Sequence, residues 1–161
     1  MSHSHQFNIR TTWKGNKGQG TANYRAYSRD HEFDGTTLKK VAPLPGSSDP
    51  VFLGDGRRYS PEELLVASLS SCHMLWYLHL CAEAGIVVVD YVDSAEGTMV
   101  ENDDDSGQFT RVVLKPEVTI TDASKLEQAR ALHHRAHELC FIARSVNFPV
   151  EHDPVIRSTP R

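Results

Sequence analysis

The chain has 161 residues, 39% of them hydrophobic, enough to bury one sizeable core as a single domain over 1–161 or as two tightly joined lobes. A net charge of −4 with no long basic run excludes nucleic acid and acidic membrane surfaces as natural partners, leaving small molecules and proteins. Three cysteines, Cys72, Cys81 and Cys140, do not make a disulfide-stapled secreted domain, and the opening MSHSHQF leads into a strand pattern without an apolar h-region, so a cytoplasmic protein is expected.

Strands come first, over 6–38. Phe7, Ile9, Thr11 and Trp13 alternate with polar neighbours, and the glycine-rich stretch 15–20 reads as a turn. Residues 21–28 and 31–38 continue as strands of an antiparallel meander, with Asp34-Gly35 at a bend. Residues 39–59 hold Pro43, Pro45, Gly46, Pro50, Gly54 and Gly56 and read as a long loop. A helix follows over 60–85. Ser60 is its N-cap, Pro61 its first turn, Glu63 the capping-box partner and Gly85 the stop. Apolar residues from Leu64 to Cys81 surround this helix on all sides, which makes it the expected buried axis of the fold. Its length also suits a membrane span, but Ser68, Ser70, Ser71, His73 and His79 would be costly in lipid.

The remainder, 86–161, reads as strands with a second helix. Ile86–Val89 is β-branched, 90–100 continues extended, and the acidic stretch 101–107 reads as a solvated turn, because an EF-hand's ligand spacing is missing. Val112, Leu114, Pro116, Val118 and Ile120 form one face of a return strand, with Pro116 at an edge or bulge. Thr121 or Asp122 then caps an amphipathic helix bearing Leu126, Ala129, Leu132, Ala136 and Leu139, which delivers Cys140. Residues 141–145 form a short helical turn and 146–156, interrupted by Pro149 and Pro154, a last edge strand. The fold class is α+β, with antiparallel sheets packed around a long central helix.

A nucleophilic cysteine works as thiolate, and one at mid-helix draws nothing from the helix N-terminal field, so Cys72 needs help from elsewhere. Cys81 lies nine residues on, about 13 Å along the axis and about 180° around it, and is read as structural. Cys140 ends the second helix, whose apolar face must pack on something, and the first helix is the obvious surface. Cys72 and Cys140 are therefore the reactive pair by this reading, set against the plainer one in which all three are small buried hydrophobes.

The stretch SPEELLVASLSSC, 60–72, resembles the OsmC/Ohr family (osmotically inducible protein C and organic hydroperoxide resistance proteins), in which a Pro-Glu pair and a short apolar run lead to the peroxidatic cysteine. AHELCFIARSV, with Cys140, is similar to the family's second cysteine motif, and the order of elements matches nearly the whole chain. The resemblance implies an OsmC-like fold and thiol peroxidase chemistry on organic hydroperoxides. Cys72 would become a sulfenic acid, Cys140 would condense with it to a disulfide, and an external dithiol, lipoyl-linked in relatives, would reset the pair. No cofactor or metal is implied. The family's activating glutamate falls on Glu62. Its arginine has no clean match: Arg29 is the choice, oriented by Asp30 or Glu62, with Lys17, Arg57 and Arg58 as the other basic candidates.

Helix geometry adds a constraint. Glu62 and Cys72 are ten residues apart, about 15 Å in a continuous helix, so either the helix breaks or a second subunit brings its Glu62 to this Cys72. The second option is an interlocked homodimer with shared active sites. His73 points about 100° away from Cys72 and reads as a core or interface histidine. His134, His137 and Cys140 recur at three-residue spacing and raise a zinc site as an alternative. Met74, Leu75, Trp76, Phe141 and Phe52 make an apolar, aromatic pocket the expectation, suited to bulky alkyl or fatty-acid hydroperoxides. The competing function is non-catalytic binding of a hydrophobic or electrophilic small molecule.

Overall fold

The alternation of Ile9, Thr11 and Trp13 becomes strand β1, Ile9–Trp13, in a computed structural model that describes residues 4–159 and divides into two units at Leu64/Leu65. In the first unit β1 pairs antiparallel with β2, His31–Gly35, which pairs antiparallel with β3, Leu44–Gly46. Thr11 stands opposite Phe33, and Phe33 opposite Leu44. His3 lies outside the described residues and His5 is exposed.

Residues 21–28 do not form the expected strand. Asn23 folds them into turns by accepting from the Arg25 amide at 3.0 Å through its side chain and from the Ala26 amide at 3.0 Å through its carbonyl. The β-favouring Tyr24 and Tyr27 serve instead as platforms for the Arg29 guanidinium, 4.1 and 4.4 Å from their ring centroids. The 39–59 loop is also more ordered than its proline and glycine content suggests. It contains β3 and a 3₁₀ turn, Pro50–Phe52, capped by Asp49, whose carboxylate accepts from the Val51 amide at 2.8 Å.

Helix α1, Pro61–Glu83, starts and stops where its local chemistry dictates. Ser60 Oγ accepts from the Glu63 amide at 3.2 Å while Glu63 Oε2 accepts from the Ser60 amide at 2.8 Å, a closed capping box. Gly85 at φ 64° ends it. The Ile86 amide donates to the Cys81 carbonyl and the Gly85 amide to the Ala82 carbonyl, the paired bonds of a Schellman motif.

The second unit supplies two three-stranded sheets and helix α2, Leu126–Leu139. Strands β4, Val88–Asp93, and β7, Pro116–Ile120, pair antiparallel, as do β5, Glu96–Glu101, and β6, Gly107–Leu114. The last two strands add in parallel, β8, Val150–His152, on β6 and β9, Val155–Ser158, on β7, each at a sheet edge. The expected single return strand is thus two strands in two sheets. Pro116 opens β7, where a missing N–H costs least, and Asp93 fixes the crossing by accepting from the Lys115 amide at 2.7 Å and from the Ser70 hydroxyl of α1. One core joins Tyr77 and Cys81 of α1, Ala129 and Ala136 of α2, and Val118, Ile120 and Ile156; a second joins Leu69 to Val112 and Leu114.

Helix α1 is apolar all round but is not buried all round. Leu69, His73, Tyr77 and Cys81, four residues apart, form its buried stripe, while Leu75 is 63% exposed. The reason is that the sheets and α2 of the second unit meet one side of the rod. Among the described residues α1 alone is long and apolar enough to cross a membrane, by length and composition.

Candidate active site

Cys72 sits on α1 one position before the buried stripe and is partly exposed; Cys140 is the C-cap of α2 and is 1% exposed. The fold brings the two thiols close enough to influence one another, and they are not joined as a disulfide. Burial pushes the Cys140 thiol up to about 11, and the neighbouring Cys72 sulfur adds to the rise, against the pull of the Ala143 amide, which donates to Cys140 Sγ at 3.4 Å. Cys140 therefore holds its proton at neutral pH. Cys81 is fully buried in the core beside the Tyr77 hydroxyl, and its thiol too is raised by burial.

Cys72 opens onto a groove of about 410 Å³ lined by Leu75, Trp76, His79 and Phe141. Positions 72, 75, 76 and 79 share one face of α1, and Phe141 arrives from the residue after Cys140, its ring 5.6 Å from Trp76 and edge-on to it. The wall is almost wholly apolar apart from the His79 ring. Met74 does not line it, and Phe52 belongs to the first unit.

Glu62 stands in the first turn of α1 with Oε2 buried and without a hydrogen-bond partner. Because α1 is unbroken, helix rise keeps Glu62 and Cys72 of one chain about 15 Å apart. Arg29 is not oriented by a carboxylate: it donates to the carbonyls of Tyr27 at 2.9 Å and Tyr24 at 2.8 Å. Asp30 is engaged by Ser47 at 3.3 Å and approached by Arg58 at 3.8 Å. Arg57 is spent on Asp55 in a two-pronged contact at 2.9 and 2.8 Å, and Lys17 is exposed in its turn.

The spacing of His134, His137 and Cys140 does not produce a metal site. His134 is exposed and faces Glu138 at 3.4 Å, and no group of three or more ligating side chains able to hold a metal occurs among the described residues. The histidines that do meet come from three elements. His73 of α1 and His133 of α2, each 1% exposed, are hydrogen-bonded at 2.9 Å, with His152 of β8 edge-on to His73. The sequence does not display this cluster because His73 lies 60 residues before His133 and farther still from His152; the available signal is that His133 precedes Cys140 by seven residues, two helical turns on the same face.

A model of OsmC-like proteins matches residues 54–154. Among solved structures, an OsmC-like protein of unknown function from Vibrio cholerae is 34% identical, with 94% of this chain and 100% of that chain covered and a TM-score of 0.82. An organic hydroperoxide resistance protein from Elizabethkingia anophelis with thiocyanate bound is 14% identical (99% and 100% covered, TM-score 0.65). A putative organic hydroperoxide resistance protein from Vibrio cholerae with captopril bound in one of its active sites is 20% identical (98% and 94% covered, TM-score 0.60). No curated protein matches the chain. Family match and full-length similarity agree, and the chain belongs to the OsmC-like family.

Proposed function

We propose that this protein reduces organic hydroperoxides through Cys72 and Cys140, in defence against oxidative stress, and that residues 1–161 work as one OsmC-like domain in the cytoplasm. The observation that carries the reading is the meeting of two thiols from different helices at an apolar groove. The structural neighbours named for organic hydroperoxide resistance point the same way. The Cys72 thiolate attacks the distal oxygen of ROOH, the O–O bond breaks, and ROH leaves once the alkoxide takes a proton, with Cys72 as sulfenic acid. The Cys140 sulfur then displaces the hydroxyl of that sulfenic acid, its own proton leaving in the released water, and a Cys72–Cys140 disulfide forms. A dithiol, lipoyl-linked by family resemblance, reduces the disulfide and is itself oxidised to one. Trp76, Leu75 and Phe141 favour bulky organic groups on the peroxide over hydrogen peroxide.

Glu62 and Arg29 are assigned to activation of Cys72, with Glu62 supplied by a second copy of the chain in a homodimer with shared sites. Two features support the assignment of Glu62: the unbroken α1, which separates Glu62 from its own Cys72, and the unpartnered buried Oε2 of Glu62; Arg29 rests on the family resemblance alone. Stopped-flow mixing with cumene hydroperoxide and a dithiol tests the activity. Wild type consumes peroxide and Cys72→Ser does not; failure of wild type to consume it under any thiol supply removes the enzyme in favour of a binding protein. A monomer by light scattering with full peroxidase activity would remove the shared site.

A further inference from the structure

Ala129 and Ala136 of α2 share a buried core with Tyr77 and Cys81 of α1, and residues so small do little to stop one helix sliding on the other. Direction comes from elsewhere. Among the described residues, one side-chain hydrogen bond links the two helices, that between His73 Nε2 and His133 Nδ1 at 2.9 Å. The rings lie 8° from parallel, Tyr77 stacks on His133 at 3.8 Å between centroids, and His152 stands edge-on to both histidines. Burial holds His73 down at about 4 and His133 at about 3, so both are neutral at pH 7 and the bond needs one ring as donor and the other as acceptor. The outer nitrogens, His73 Nδ1 and His133 Nε2, are buried without partners. The pair is thus retained at a desolvation cost that an apolar contact of the same shape would avoid.

Its position suggests what the cost secures. His73 is the residue after Cys72, and His133 lies two turns before Cys140 on the same face of α2. We infer that the His73–His133 hydrogen bond is a positioning bridge that fixes the register of α2 on α1 and so holds the Cys140 sulfur against Cys72 for disulfide closure. The inference rests on the proposed peroxidase reading for its use, but its geometry concerns closure of the cysteine pair, whatever the oxidant. Neither histidine touches the peroxide: both are buried and outside the groove lining.

The test separates attack from closure. His133→Phe keeps a ring to stack on Tyr77 and removes the hydrogen bond; His133→Asn places an amide where Nδ1 stood and can restore it. With one equivalent of cumene hydroperoxide, His133→Phe is expected to consume peroxide within about twofold of wild type. It should close the disulfide about tenfold more slowly, with trappable Cys72 sulfenic acid accumulating, and His133→Asn should return closure to within about threefold. His73→Leu and His73→Gln, whose amide reaches the place of Nε2, repeat the comparison from α1 should a His133 variant fold poorly. Equilibration of the same proteins in glutathione redox buffers reads closure without peroxide, so a wild type inert to peroxide defeats the proposed function while the bridge is still decided: a disulfide less favoured by about tenfold in the Phe and Leu variants supports it. Closure at the wild-type rate in His133→Phe, or Asn and Gln variants as impaired as Phe and Leu, overturns the bridge.

Discussion

Cys81 and Cys140 are close to identical by the usual measures of a cysteine's surroundings and opposite in proposed role. Both are buried, at 0% and 1% exposure, both have thiols raised by burial, and both pack in the second unit. What differs is the polar side chain alongside. Cys81 lies beside the Tyr77 hydroxyl, with which it has no redox chemistry, whereas Cys140 lies beside the thiol of Cys72, which opens onto the groove. Burial alone does not mark a cysteine as inert; a buried thiol that keeps its proton is suited to meet a sulfenic acid and is shielded from reacting with peroxide first.

The comparison breaks most visibly if Cys72→Ser retains activity. The expected loss of peroxide consumption is on the order of 1,000-fold or more, read by stopped flow. Cys140→Ser should keep the first turnover within about threefold but stop after it, with sulfenic acid on Cys72 detected by a dimedone adduct in the mass spectrum. Acid is the next lever. His73 and His133 titrate at about 4 and about 3 in the folded chain, below the ordinary value near 6.5, so the unfolded chain binds more protons between those values. Stability is then full above about pH 6.5 and falls as pH drops toward 4, with a slope that for two histidines approaches roughly 2.7 kcal/mol per pH unit, which urea melts at several pH values would show. His133→Phe should flatten that slope. The smallest effect belongs to Cys81→Ala, expected to cost about 1 kcal/mol of stability by thermal melting and to leave peroxide turnover within about twofold.

What could be read from the sequence was local. The caps of α1 are legible because Ser60, Glu63 and Gly85 act within a turn of themselves, and the cysteine motifs are legible because residue type and order carry them. Residues 21–28 misled because β propensity describes Tyr24 and Tyr27 in a sheet, while here their faces are taken by Arg29, a contact that pattern does not encode. The same contact upset the expected pairing of Arg29 with a carboxylate. All-round apolarity overstated the burial of α1, since hydrophobicity says a surface can be covered and not by what. The histidine pair stayed hidden because only the packing of α1 on α2 brings positions 73 and 133 together.

The most direct measurement is intact-protein and peptide mass spectrometry after one equivalent of organic hydroperoxide. Loss of two hydrogens and one intrachain cross-link between the Cys72 and Cys140 peptides are expected, with Cys81 left as a free thiol. An unmodified protein, a cross-link through Cys81, or oxidation of Cys140 ahead of Cys72 would contradict the proposed chemistry.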